Sequence, residues 1–263
     1  MARAANKKAA KKTVQRKAAK PAARKKLSAA RTPPSRKAAN TPRKSPSNGA
    51  VAGNKQRFTL HGVMTSGPTY TAALMLSLCR HPYSYIHVNL REGQHKQPDY
   101  LVKNRYGQVP TLRDGQMFLV QSSAIIEYLA ETLKKLEGKT IVEKQRIREW
   151  LFWQWDKLAL PVFRLRARNR GLRQFGDEVR VMYDTEAKAA LAVLEHELLR
   201  SDWIAAKRPT AADVGIYGVL RYAPEASIDL SPYPHVVAWK KRFEALPGFG
   251  TPEQLLPMES RLL

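Results

Sequence analysis

Large apolar side chains are almost missing from the first 56 residues of the chain and then arrive abruptly. From Arg57 the run RFTLHGVM is rich in strand formers, TSGP supplies turn material, and TYTAALMLSLCRH is apolar for long enough to form a buried helix. YSYIHVNL reads as a second strand, and the order strand, helix, strand predicts a parallel pair with a right-handed crossover. After the polar stretch REGQHKQPDYLVKNRYGQ, the segment VPTLRDGQMFLV offers two short apolar runs around Asp114-Gly115, a dipeptide that favours a hairpin. QSSAIIEYLAETLKKL has helical periodicity, with Ala124, Ile125, Tyr128, Leu129 and Leu133 predicted on one face. The pattern predicts a four-stranded sheet, two strands parallel and two antiparallel.

From about Ile141 onward no strand pattern is found, only helical stretches separated by polar turns, so a second, all-helical unit is expected. Leu191, Leu194 and Leu198 mark an apolar stripe. At Pro209-Thr210-Ala211-Ala212-Asp213 a helix start is written out: Thr210 can cap the backbone and Asp213, three residues on, can reach back.

Charge divides the chain at the same place. The 263 residues carry a formal charge of +24, yet residues 1 to 57 hold 18 of the 46 Lys and Arg and none of the 22 Asp and Glu. Residues 58 to 263 therefore keep 28 basic and 22 acidic side chains, an ordinary balance, and the signal for a polyanionic partner belongs to the tail. Residues 1 to 56 lack the apolar side chains that offset backbone ordering and are expected to be disordered. KKAAKK, KAAKPAARKK and Thr41-Pro42-Arg43-Lys44 resemble the arms of linker histones, which implies sequence-independent nucleic-acid binding through residues 1–56. A solubilising tail and an organelle-targeting segment are the competing readings.

The single cysteine, Cys79, forms no internal disulfide and calls for no oxidising compartment, so a cytoplasmic location is expected. No apolar run approaches the roughly 18 residues that span a membrane, and no membrane partner is expected. The six histidines show no metal-ligand spacing, and no metal is expected.

Four motifs stand in one order: TSGPTY after the first strand, GQVPTL before the third, QSSAIIEYLA at the third helix, and RPTAADVGIYG with its cap. Together with the closing YAPEASIDLSPYPHVVAWKKRFEALPGF, they make residues 58 to 249 resemble the bacterial-type cytosolic glutathione transferases. The resemblance implies an α/β thioredoxin-like N-terminal domain (βαβ-α-ββα) over 57–136 and an all-α C-terminal domain over 141–250. Around these lie the basic tail 1–56 and a C-terminal extension 251–263. It also implies a homodimeric glutathione S-transferase that takes glutathione as cosubstrate and an electrophile the sequence does not name. A catalytically inactive binding or regulatory protein on this fold, or a nucleic-acid-associated protein acting through the tail, are the alternatives.

The chemistry such an enzyme needs can be laid over these residues. A thiol with a pKa of about 8.5 is only a few per cent thiolate at neutral pH, and the thiolate is the nucleophile. A hydroxyl on a turn that opens a helix stabilises that anion both by a hydrogen bond and by the helix dipole. The resemblance assigns this place to Ser66, with Thr65 and Tyr70 as competitors. Pro68, Thr69 and Thr71 depart from the Ser-Gly-Asn, Cys-Tyr-Lys pattern of related bacterial members. By the same resemblance Val109 and Pro110 form a cis peptide that presents the Val109 backbone to the cysteinyl part of glutathione. Gln121 and Ser122 hold its γ-glutamyl end, and Gln94 and Lys96 are candidates for its glycine carboxylate. Trp150, Phe152, Trp153 and Trp155 could line a pocket for apolar electrophiles but are read mainly as core or interface. Arg164, Arg166, Arg168, Arg170 and Arg173 could attract an anionic substrate but are read mainly as a solvated surface after a long helix, and Cys79 is read as a buried inert thiol.

Overall fold

The computed structural model describes residues 56 to 260, so the basic tail expected over 1–56 lies outside the described residues except for Gln56. Strand β1 (Phe58–Gly62) buries Phe58 and Leu60 completely, and β2 (Tyr83–His87) runs parallel to it with Phe58 opposite Tyr83 and Gly62 opposite His87. Between them α1 (Gly67–Leu78) is apolar nearly all round and buried nearly all round. The one-turn helix α2 (Pro98–Leu101) leads to β3 (Thr111–Asp114) and β4 (Met117–Val120), and α3 (Ser122–Leu133) closes this half. The sheet order is β2-β1-β3-β4, with β3 antiparallel to both β1 and β4. This is the mixed four-stranded sheet that the apolar pattern predicts.

Two local expectations are corrected. The hairpin turns on Gly115 and Gln116, with Gly115 at φ +59°, and Asp114 stays in β3. There its carboxylate pairs with Arg57 at 2.7 Å and accepts the Tyr128 hydroxyl at 2.8 Å. In α3 the buried face runs through Ile125, Ile126, Leu129 and Ala130, while Ala124 is exposed and Tyr128 and Leu133 are only partly buried. The face is rotated because α3 is packed against α1 on one flank and against a helix of the second half on another.

The second half is helical throughout. α4 (Ile141–Trp153) continues through a π-helical stretch at 154–159 into α5 (Leu160–Asn169). Pro161 explains the interruption, since it lacks an N–H and its ring crowds the carbonyl of Lys157; the widened turn accommodates both. α6 (Asp177–Leu198) buries the stripe Leu191, Leu194 and Leu198, and α7 (Ala211–Leu220) is buried at every residue. α8 (Pro234–Glu244) and the short α9 (Pro252–Leu255) follow. α7 crosses α1 so closely that a Cβ on Gly218 would lie 2.0 Å from the Thr71 hydroxyl oxygen, which is why glycine stands there. The last residues return to the sheet domain: Tyr70 Oη donates to the Gly250 carbonyl at 2.9 Å and Tyr83 Oη to that of Leu255 at 2.7 Å. A single apolar core thus joins both halves.

Candidate functional site

The loop between β1 and α1 is built around a cap. Ser66 has extended backbone, and its Oγ accepts the Thr69 N–H at 3.2 Å, which leaves the hydroxyl proton free to donate outward. The positive end of α1 lies behind it. The two competitors are placed differently. The Tyr70 ring is fully buried with its hydroxyl spent on Gly250, and burial pushes its pKa well above the ordinary tyrosine range. Thr65 is exposed, and its carbonyl accepts Arg166 Nη1 at 2.9 Å.

Ser66 opens onto a cavity of about 710 Å³ between the two halves. Its sheet-side wall gathers most of the residues that the sequence singles out. Val109 and Pro110 line it across a cis peptide bond, and Gln121 and Ser122 line it at the start of α3. Gln121 stands at φ +70°, ψ 115°, a region that costs a non-glycine residue of order 1 to 3 kcal/mol and that tends to be kept at functional sites. Lys96 also lines the cavity, its Nζ donating to the Gly107 carbonyl at 2.8 Å. Gln94 is not brought in. It is exposed, and its Oε1 accepts the Asn89 N–H at 2.8 Å within its own loop.

Further residues complete the lining. His95 lines the cavity with Nδ1 buried and unpartnered, and burial, helped by Lys96, lowers its pKa. Asn104 donates to the Gln108 carbonyl at 2.7 Å and so shapes the loop before Val109. From the helical half come Trp155, Phe163, Arg166, Arg170 and Leu172. Trp155 sits in the π-helical stretch and its Nε1 donates to Ser123 Oγ at 2.8 Å, so the widened turn fastens this wall to α3. Among the four aromatics considered from sequence, Trp155 alone lines the cavity; Trp150 is core, Trp153 packs partly against the core, and Phe152 is exposed.

The arginine run is not the uniformly solvated surface expected of it. Arg166 is buried, lies 3.8 Å over the Tyr222 ring, donates to Glu225 at 2.8 Å, and reaches the loop next to Ser66. An i, i+4 spacing along α5 puts Arg170 on the same wall. The signal for this was present only as a helical phase that cannot be fixed until the interruption before Pro161 is known. Gly67 belongs to the same contact, because a Cβ there would come within 2.6 Å of Phe163.

Residues 57–131 match the N-terminal domain of glutathione S-transferases and residues 162–247 match the C-terminal domain. A probable glutathione S-transferase of Oryza sativa is 32% identical over 176 residues, covering 63% of this chain and 81% of that protein. The chain belongs to the glutathione S-transferase family. The enzyme's other relatives include a glutathione S-transferase of Silene vulgaris, 28% identical over 72% of this chain and 94% of its own length. Among solved structures, a glutathione S-transferase from Xanthobacter autotrophicus is 28% identical, with a TM-score of 0.69 over 76% of this chain and 97% of its own.

Proposed function

We propose that this glutathione transferase binds glutathione along the sheet-side wall of the cleft, ionises its thiol at Ser66, and directs the thiolate at an electrophile held by the helical half. The observation that carries the reading is the cap geometry: Ser66 Oγ is satisfied as an acceptor by Thr69 N–H and has its proton left for sulfur. The division of labour assigns residues 57–136 to glutathione and 141–250 to the electrophile. Val109, beside cis Pro110, pairs through its backbone with the cysteinyl unit. Ser122 and the first N–H groups of α3 receive the γ-glutamyl carboxylate, the anion site that any helix start offers. Gln121 accepts from the γ-glutamyl amine, and Lys96 attracts the glycine carboxylate. Gln94, outside the cavity, is left without a role. In the reaction the thiol proton passes to solvent, sulfur forms a bond to the electrophilic carbon, and the leaving group departs with its electron pair.

The reading extends to a homodimer in the cytoplasm, as is usual for the family. Among the described residues no helix is long and apolar enough to cross a membrane, and no group of three or more His, Cys, Asp or Glu is placed to hold a metal.

The test is conjugation of glutathione to a reactive aryl halide by the full chain and by Ser66→Ala. Removing one charge-assisted hydrogen bond, worth roughly 1.5 to 3 kcal/mol, should lower kcat/KM about tenfold or more and raise the pKa read from its pH profile. Turnover unchanged in Ser66→Ala would move the role to Thr65, the other hydroxyl at this turn.

A further inference from the structure

The residues lining the cleft include three cations, Lys96, Arg166 and Arg170, and not one Asp or Glu. Lys96 stands on the glutathione wall, where a carboxylate is expected beside it. The two arginines stand on the opposite wall, and their charge is not balanced there. A single carboxylate, Glu225, serves both: Arg166 Nε holds its Oε2 at 2.8 Å, and Arg170 Nη1 lies 3.9 Å from the same oxygen, beyond hydrogen-bond range. Glu225 does not line the cleft but a smaller hollow of about 260 Å³ beside it, which Arg166 and Arg170 also line together with Arg221 and Glu253, so that three guanidinium groups there face two carboxylates. Arg166 engages only Nε and Nη1, so a guanidinium edge remains, and the Arg170 side chain is one-third exposed. Around them the wall is apolar, formed by Phe163, Ala167 and Leu172.

A guanidinium pair one helical turn apart, short of one negative charge and set in an apolar surface, fits a planar anion on an apolar body. We propose that the electrophile this enzyme takes carries a carboxylate, bound by Arg170 with Arg166 beside it, while its apolar part rests on Phe163 and Leu172. The inference rests on the transferase reading above and names the class of second substrate for it. Arg166, tied to the Thr65 carbonyl, sets the distance between the anion and the reacting sulfur.

The experiment compares 4-chloro-3-nitrobenzoate with its carboxamide, which has the same shape and reacting carbon but no charge. In each reaction the glutathione sulfur bonds to the ring carbon and chloride leaves with the bonding pair. With each rate divided by that of the uncatalysed reaction of the same electrophile, which removes the stronger activation of the ring by the carboxamide, the full chain should favour the benzoate in kcat/KM by about tenfold, Arg170→Gln should bring the ratio near one, and Arg170→Glu should invert it. The finished S-aryl conjugates, benzoate and carboxamide, are titrated in parallel by intrinsic tryptophan fluorescence. Turnover with no preference between the two electrophiles, or a preference that survives in Arg170→Gln, overturns the carboxylate site and leaves the transferase reading standing. Conjugates bound with the charge preference while neither electrophile turns over would sink the transferase reading and keep the anion site. Failure to bind either conjugate overturns both.

Discussion

At the scale of the residue, His61 shows how a side chain outside the cleft sets the conditions in which the enzyme works. It sits in β1 opposite Ile86 and Thr111, nearly buried, with its ring edge-on to Tyr100 at 6.4 Å. Burial, followed by repulsion from Lys103 and Arg113, lowers its pKa to about 4. At pH 7 the ring is neutral in the folded chain and mostly neutral in the unfolded one, so it costs little. As pH falls below about 6.5 the unfolded chain takes up a proton that the folded one refuses, so stability is lost through this window and levels off only near pH 4. At pH 5 the loss should be about 2 kcal/mol. Urea midpoints at pH 7.5 and 5.0 for the parent and for His61→Gln, which cannot titrate, measure it: the variant should lose visibly less. Equal losses would show that other groups govern acid sensitivity. Cys79 is the opposite case, a thiol that burial pushes up to about 11 and keeps out of the chemistry; it caps the C-terminal end of α1 rather than lying inside the helix, far from the turn at Ser66.

Among the elements, α7 carries the most consequence per residue. The cap read from Thr210 and Asp213 is present, but the sequence showed only half of what Asp213 does. Its carboxylate accepts Thr210 N–H at 2.8 Å, Thr210 Oγ1 at 3.0 Å, Ile204 N–H at 3.1 Å and Trp239 Nε1 at 3.0 Å. It therefore ties the chain before α7 and the helix α8 to one buried point. A four-residue spacing rule can find the first contact, while the contacts to Ile204 and Trp239 depend on tertiary packing that no local pattern encodes. Asp213→Ala leaves those donors buried and unpaired, each costing roughly 1 to 3 kcal/mol, and should destabilise the protein by on the order of 3 kcal/mol or more. A loss of about 1 kcal/mol in urea unfolding, the worth of a surface cap, would contradict this. The same limit explains the cleft. Ser66, Val109, Pro110, Gln121 and Ser122 were legible because each belongs to a short motif at a strand or helix end, where backbone groups need partners. Which arginines of the run face the cleft, Arg166 and Arg170, and that Phe163 stands beside them, was not, because all three belong to one continuous helical run. Their facing depends on the widened turn at 154–159 and on where Pro161 falls within it.

On the scale of the whole molecule, the chain joins two charge regimes. Residues 58 to 263 carry a modest basic excess, while residues 1 to 57 contribute 18 Lys and Arg with no acid, and this sequence fact stands apart from the folded enzyme. A segment of this charge would displace counterions from DNA, and binding of that kind would be indifferent to base sequence. If about eight phosphates are engaged, log K should fall against log salt with a slope of about −7, so affinity drops by orders of magnitude between low and moderate salt. The measurement is a titration of duplex DNA with the full chain and with a truncated protein beginning at Gln56, at two salt concentrations and on two unrelated sequences. The full chain should bind both sequences alike and lose affinity steeply with salt, the truncated protein should bind weakly, and both should conjugate glutathione at the same rate. Should the truncated protein bind DNA as well as the intact chain, the tail has no such role, and the exposed Arg173 with the partly exposed Arg164 and Arg168 become the place to look. A slope near zero would be equally damaging, because an acid-free segment of this length has no other means of holding a polyanion than the charge that salt screens.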